Sequence, residues 1–245
     1  MPRIVTYNVH ACVGVDGRLD VGRVAAVLAA LEPDIVALQE LDLGRARSNG
    51  VDQAFEIAKR LDMTGHFNAA VQVEEERYGD AILTCFPERL VKAGALPGLS
   101  PKLRLEPRGA LWIAVDIHGV EVQVINTHLG LVPREQQLQA ASLAGEDWLG
   151  SPLRRDPLIL LGDLNATSAT VVYRTLAVKL TDARSLAVRR RGRLATFPSA
   201  LPMLRIDHVF VSPGIQVREM RVPATPLARQ ASDHLPLVLD FEIAA

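Results

Sequence analysis

Two cysteines in 245 residues, Cys12 and Cys85, are too few and too far apart in sequence for a disulfide framework. A reducing compartment is the expectation. No apolar run approaches the roughly 18 residues that a membrane-spanning helix needs. The first residues, MPRIVTYNVH, lack the basic region and long apolar stretch of a signal peptide. An excess of one charge is missing too. The 27 Lys and Arg against 28 Asp and Glu leave a formal net charge of −1, so no global basic signature marks a nucleic-acid binder, although a local patch would suffice. No internal repeat or linker interrupts the chain. What remains is a soluble, cytoplasmic protein with residues 1–245 as one domain, a length that a single α/β or all-β unit reaches.

Hydrophobic residues make up 49% of the chain, enough for a sizeable core. Arg3 to Tyr7 reads as a strand ending at Asn8, and Asp34 to Gln39 as a second ending at Glu40. Asp20 suits the N-cap of a helix running through Val21, Val24, Val27, Leu28 and Leu31, with Pro33 as its stop. Residues 52–61, 133–149 and 168–178 read as helices, with Pro133 in the first turn of the second. Short strands are expected around 66–73, 79–85, 89–95, 109–117, 120–127, 157–162, 206–212, 215–222 and 236–243. His118-Gly119 forms a hairpin turn. Residues 184–205 are the least regular stretch. Strands in hairpins mixed with helices point to a mixed α/β sandwich rather than a doubly wound parallel sheet.

The segment LILLGDLN, residues 158–165, is an apolar strand that delivers Asp163 and Asn165 at its end. Side chains two apart on an extended chain share a side, so the pair would face one point if extension persists past Gly162. The pattern recurs. IVTYN ends at Asn8, DIVALQE at Glu40, and VQVINTH at Asn126 and His128; RIDHVFV opens near Asp207, and SDHLPLVL opens with Asp233 and His234. In a mixed sheet, C-terminal ends of some strands and N-terminal ends of others lie at one edge, so these segments can converge. Glu, Asp, Asn and His without paired cysteines favour Mg²⁺, with Mn²⁺ as the alternative, over zinc.

These blocks, TYNVH, ALQE, YGDAILT, INTHLG, GDLN, RIDHVFV and SDHLPL, together resemble the endonuclease/exonuclease/phosphatase superfamily of DNase I-like proteins, in family order across residues 4–238. The resemblance implies a four-layered α/β sandwich, two mixed and mostly antiparallel sheets packed face to face and flanked by helices, and metal-dependent hydrolysis of phosphate esters. It gives Glu40 and Asn8 to the metal, with Asp233 near it. It makes Asp163 the residue that activates water, Asn165 its partner on the phosphate, and His234, held by Asp207, a phosphate contact. His128 and Arg108 resemble further phosphate contacts. Asp80 stands where many relatives carry Asn, and an anion there repels phosphate unless paired, protonated or metal-bound. The pattern LATFPSALPMLRID, residues 194–207, is similar to a group of short bacterial proteins within the superfamily.

Taken singly, each residue also has a plain role. Asp163 and Asn165 suit an Asx-turn capping the next helix, Asp207 suits a surface pair with Arg205, and Tyr78 suits either a phosphate contact or a core position. Cys85 reads as a small buried hydrophobe. Three functions follow: a phosphodiesterase or phosphomonoesterase on a lipid or small molecule; a nuclease, for which Arg189 to Arg193 would be the landing site; or a non-catalytic scaffold. Oligomeric state leaves no signature in the sequence.

Overall fold

A strand apolar at every position needs a hydrophobic layer on both faces, because successive side chains point to opposite sides. Leu158 to Leu161 finds two. In the computed structural model, which describes residues 1–244 and all their side chains except those of Pro101, Arg190 and Arg191, Ile159 and Leu161 enter one core and Leu158 and Leu160 another. Ile35 and Ala37 share the first of these cores, while Val36 and Leu38 enter a third.

The elements in chain order are β1 (Arg3–Asn8), α1 (Val21–Ala29), β2 (Ile35–Leu43), α2 (Gln53–Leu61), β3 (Thr64–Val73), β4 (Glu76–Thr84) and β5 (Glu88–Ala95). Then follow β6 (Gly109–Ile117), β7 (Val120–His128), α3 (Pro133–Ala144), β8 (Leu158–Asp163), α4 (Val171–Ala177) and β9 (Thr181–Asp182). The last third holds α5 (Ala183–Leu186), β10 (Arg189–Arg191), β11 (Asp207–Val211), β12 (Ile215–Arg221), α6 (Pro226–Ala231) and β13 (Leu237–Ile243). A seven-stranded sheet has the order β10-β12-β13-β1-β2-β4-β3, and a six-stranded sheet the order β5-β6-β7-β8-β11-β9. Their inner faces share the central core. Helices α1, α2 and α6 cover the outer face of the first sheet, and α3 and α4 that of the second. This is the expected four-layered sandwich, and no helix among the described residues is long and apolar enough to cross a membrane.

Pairing directions decide where the polar strand ends go. β1 runs parallel to β2 and β7 parallel to β8, whereas β13 is antiparallel to β1 and β11 antiparallel to β8. The C-terminal ends of β1, β2, β7 and β8 therefore meet the N-terminal ends of β11 and β13. Asn126, on β7, ties the two sheets at this edge. Its Nδ2 donates to the carbonyls of Leu38 (2.8 Å) and Ala81 (2.9 Å), and its Oδ1 accepts from Gln39 Nε2 at 2.7 Å.

Several boundaries differ from the sequence expectation. Asp20 caps α1 by accepting from the Arg23 N–H, but the helix ends at Ala29, ahead of Leu31 and Pro33. α3 stops at Ala144 with Gly145 as its cap, short of Leu149. α4 begins only at Val171, capped by Thr170, so Asp163 and Asn165 do not cap it. The irregular stretch contains α5 and β10, and α6 was not expected at all; these pieces are too short to show a period. Cys85 is exposed rather than buried, because β4 ends at Thr84 and Cys85 starts the turn into β5. The His118-Gly119 turn is as expected, with φ of 54° and 87°, the left-handed pair that a tight hairpin requires.

One glycine is indispensable to the meeting of β7 and β8. Gly162 has φ 137°, and a Cβ there would stand 1.9 Å from the Thr127 carbonyl oxygen of the paired strand. Gly162→Ala is expected to destabilise the protein by at least about 2 kcal/mol, read as a lowered denaturation midpoint; an unchanged midpoint would contradict the close approach.

Candidate active site

Glu40 owes its position to an irregularity. The pairing of β2 with β4 shifts register between Leu38 and Leu41, and Glu40 takes φ 62°. Such a bulge re-aims a side chain, here at a cost on the order of 1–3 kcal/mol for left-handed backbone in a residue with a Cβ. The buried Asp80 carboxyl accepts a hydrogen bond from the Glu40 backbone N–H and so holds the bulge. Glu40 keeps 22% of its side chain exposed, and its Oε1 accepts from Asn8 Nδ2 at 2.9 Å.

Asp163 lies at the centre. It is buried, its Oδ1 accepts from the Asn165 N–H at 2.8 Å, and its Oδ2 accepts from Asn8 Nδ2 at 3.0 Å. Nε2 of His128 and Nε2 of His234 each stand 3.6 Å from that same Oδ2. The convergence does not come from extended geometry. β8 ends at Asp163, and Asn165 turns back in the left-handed region with φ 48°. The Asx-turn is real, but it aims Asn165 at the site rather than starting a helix. Asn8 has one satisfactory amide orientation: its Oδ1 accepts from the His10 N–H at 3.1 Å, which leaves the NH₂ bridging Glu40 and Asp163.

His234 and Asp207 form an oriented pair. Nδ1 of His234 lies 2.9 Å from Asp207 Oδ2, the oxygen to which Thr196 Oγ1 also donates. Asp207 is fully buried and does not touch Arg205, which instead forks onto Asp182 at 2.7 and 3.3 Å. Burial pulls the His234 pKa down, but the charges of Asp207, Asp163 and Asp233 and the Asp207 hydrogen bond raise it to about 10. The ring is therefore an imidazolium with Nε2–H facing Asp163. His128 behaves oppositely. Burial, with Arg108 and His234 nearby, holds it well below its ordinary value, so it stays neutral. Arg108 Nη1 lies 2.9 Å from His128 Nδ1, and an arginine only donates, so the His128 proton sits on Nε2. Asn165 Nδ2, donating to the Leu129 carbonyl at 2.9 Å, is 3.1 Å from that nitrogen. The two contacts compete, because a neutral imidazole accepts at one nitrogen only and Arg108 takes Nδ1, so the Asn165 amide faces a ring N–H.

Asp233 is half-buried, with its Oδ1 3.3 Å from Ser232 Oγ, next to His234 in sequence. Tyr78 is buried, with the guanidinium groups of Arg45 and Arg47 at 5.8 and 5.3 Å from its ring centre. The basic stretch Arg189 to Arg193 begins in β10 at the edge of the seven-stranded sheet, and the side chains of Arg190 and Arg191 lie outside the described residues. Two supports were missed in the sequence. Thr196 fixes Asp207, and Ser232 Oγ donates to the Asn8 carbonyl (2.8 Å) while accepting from the His234 N–H (3.2 Å). Both fall inside the blocks LATFP and SDHLPL, but Thr196 lies eleven positions before Asp207, and a hydroxyl beside Asp233 has no distinguishing signal.

Four carboxylates, Glu40, Asp80, Asp163 and Asp207, share this edge with two cations, Arg108 and His234. The surplus is legible in the acids. Burial, then the neighbouring Asp207, raises Asp163 to about 7; burial, with Glu40 nearby, raises Asp80 to about 8. Excess anionic oxygen of this kind fits a hard divalent cation. Polar atoms of Asp163, Asp207 and His234 lie within 4.8 Å of one another, and a cation bound there would displace the His234 proton. Glu40, partly exposed and with its Oε1 beside Asn8, is the accessible hard oxygen donor at this edge.

The chain matches the Endonuclease/Exonuclease/phosphatase family over residues 5–234. Among solved structures it is similar to the endonuclease/exonuclease/phosphatase of Bacteroides vulgatus, with 22% identity, a TM-score of 0.79, and 99% of this chain and 98% of that one covered. It is also similar to a mannosyl-6-phosphatase of Bacteroides thetaiotaomicron, with 19% identity, a TM-score of 0.77, and 99% and 100% coverage. Among curated proteins it is 29% identical to an uncharacterised Escherichia coli protein, YbhP, over 141 residues, covering 56% of this chain. The match spans about half, 54%, of that relative's length.

Asp163, Asp80 and His234 all bind protons more tightly folded than unfolded, having moved up from ordinary values of 3.8, 3.8 and 6.5. Where the folded state holds more protons, stability falls as pH rises. Buried His128 and His208 have moved down from 6.5 and offset that fall below about pH 6.5, so the metal-free protein is expected to lose thermal stability between about pH 6.5 and about pH 10, where the His234 share is lost, and added Mg²⁺ is expected to flatten the fall. Melting temperatures in chelator and in Mg²⁺ across that range check this; a metal-free profile that rises with pH would contradict it.

Proposed function

The chain belongs to the endonuclease/exonuclease/phosphatase family, and from that membership and the site's geometry we propose that it is a divalent-metal-dependent phosphoesterase in which Asp163 activates the attacking water. Members of this family hydrolyse phosphate esters. The observation that carries the proposal is the surrounding of one buried oxygen, Asp163 Oδ2, by Asn8, His128 and His234. Mg²⁺ or Mn²⁺ held by Glu40, with Asn8 and Asp233 nearby, would supply Lewis-acid stabilisation of charge on the phosphoryl oxygens.

The protein's own groups divide the remaining work. Asp163, raised toward neutrality, is matched to orienting a water and taking its proton. His234 presents Nε2–H to the phosphate, and Asp207 fixes its ring through Nδ1. His128 Nε2–H, the Asn165 amide and Arg108 add donors where negative charge grows in an in-line displacement. Residues 1–245 would act as one catalytic unit. A lipid or small-molecule phosphate is favoured as substrate by the near-zero net charge and by the likeness to a mannosyl-6-phosphatase. A nuclease is the second reading, resting on Arg189 to Arg193; it requires activity that falls steeply with salt. A non-catalytic scaffold requires failure to bind Mg²⁺ or Mn²⁺ by calorimetry.

Asp163→Asn separates catalysis from stability. The substitution removes a buried carboxylate from beside Asp207, so at neutral pH the metal-free protein is expected to keep or gain thermal stability. Turnover should fall on the order of a hundredfold or more. Hydrolysis with Mg²⁺ or Mn²⁺ of plasmid DNA, RNA, bis-p-nitrophenyl phosphate, sugar and inositol phosphates and phospholipids, beside a melting curve, checks both. A folded variant with wild-type turnover would remove Asp163 from its role.

A further inference from the structure

A cleft of about 370 Å³ opens beside Glu40 and Arg108, and neither His234 nor Asp163 takes part in its wall. Ligand pockets run from about 300 to 1,000 Å³, so its occupant is small. The wall is a built structure. Arg47 forks onto Asp42, Nε to Oδ2 at 2.8 Å and Nη2 to Oδ1 at 2.7 Å. Asp42 is fully buried, and its backbone N–H donates to Gln53 Oε1 at 2.9 Å. Gln53 Nε2 in turn donates to the Ala11 carbonyl at 2.7 Å. Ala11 sits in a turn of three consecutive left-handed residues, His10 to Cys12, with φ of 48°, 52° and 57°. One buried glutamine therefore fixes two walls. Arg47 lies over the Tyr78 ring, and Glu106 pairs with Arg108 at 2.7 Å.

Each arginine of this wall already has its carboxylate, Arg47 with Asp42 and Arg108 with Glu106. A second phosphate or a polyanionic strand would find no spare cation, and would meet Glu74, Glu75 and Glu76 on the β3–β4 hairpin at the same edge. An alkyl or acyl group would cover charged groups without offering hydrogen bonds, at a desolvation cost. A neutral group rich in hydroxyls suits the wall, because each hydroxyl both donates and accepts. Such a group can accept from the N–H groups of Arg47 that Asp42 leaves free and donate to the Glu106 carboxylate.

We propose that this cleft holds the alcohol side of the phosphate ester, that this alcohol is a small neutral polyol of the sugar, sugar-alcohol or cyclitol class, and that Arg47 and Glu106 select it. The proposal rests on the phosphoesterase function proposed above.

Paired substrates test it. myo-Inositol 1-phosphate is compared with cyclohexyl phosphate, and glucitol 6-phosphate with hexyl phosphate, each as the monoester and as the methyl diester. Within a pair only the hydroxyls differ. The wild-type protein with Mg²⁺ is expected to favour a polyol ester on the order of a hundredfold in kcat/KM, and Arg47→Lys and Glu106→Gln should each cut that ratio about tenfold. Arg47→Lys keeps a charge on buried Asp42, and Glu106 lies on an exposed loop, so the two variants do not share one risk of misfolding; melting curves confirm the fold. Wild-type ratios near one, ratios unmoved in both variants, or turnover confined to DNA or bis-p-nitrophenyl phosphate would overturn the proposal while leaving a phosphoesterase. No turnover of any ester would instead overturn the phosphoesterase itself.

Discussion

Carboxylates kept out of water at one edge of a two-sheet sandwich set the terms for everything around them. Asp80, Asp163 and Asp207 are buried and Glu40 is half-buried. An unpaired buried ion costs several kcal/mol, so each needs partners supplied from other strands. Asp207 takes His234 and Thr196; Asp163 takes Asn8 and the Asn165 N–H; Asp80 takes the Glu40 N–H and lies near Arg108. No single segment contains such a set. It exists because β1 and β2 in one sheet, and β7 and β8 in the other, end together. The antiparallel pairing of β8 with β11 then sets Asp163 directly opposite Asp207. The mixed direction of the strands is a condition of the site.

Much of this was legible in the sequence because strand periodicity is local. Leu158 to Leu161 announces a strand covered on both faces, and Asn8, Glu40, His128 and Asp163 announce polar ends. Cross-strand register is not local, and the errors sit there. Asn126 looks like another strand-end ligand, yet its three hydrogen bonds hold the sheets together. The bulge that turns Glu40 inward depends on Asp80 across β4, which no window on β2 contains. Asp163 and Asn165 do converge, but through a glycine that packs against Thr127 and a left-handed asparagine, not through strand alternation.

Strain and charge accumulate at the same place. Glu40, Asn165 and the turn His10 to Cys12 all occupy left-handed backbone. Each of these conformations is unfavourable alone and persists only where its surroundings over-determine it. Here the surroundings are the rigid ends of paired strands and buried amides such as Gln53. A core apolar on both faces of both sheets supplies the stability against which such local costs are set.

The charge balance also fixes an order of dependence between ligands. A phosphate ester is an anion, and an edge with more carboxylates than cations repels it. A divalent cation held by Glu40 would reverse that balance, so metal and substrate would each strengthen the other's binding by the same factor. The cleft touches this exchange through Glu40 and Arg108 in its wall, whereas its Arg47 is already paired with Asp42. Affinity for the phosphate would then follow the cation, whereas discrimination among alcohols would fall to hydrogen bonds that salt alters little. Two neighbouring regions of one edge can thus be tuned separately, one by net charge and one by the placement of donors and acceptors.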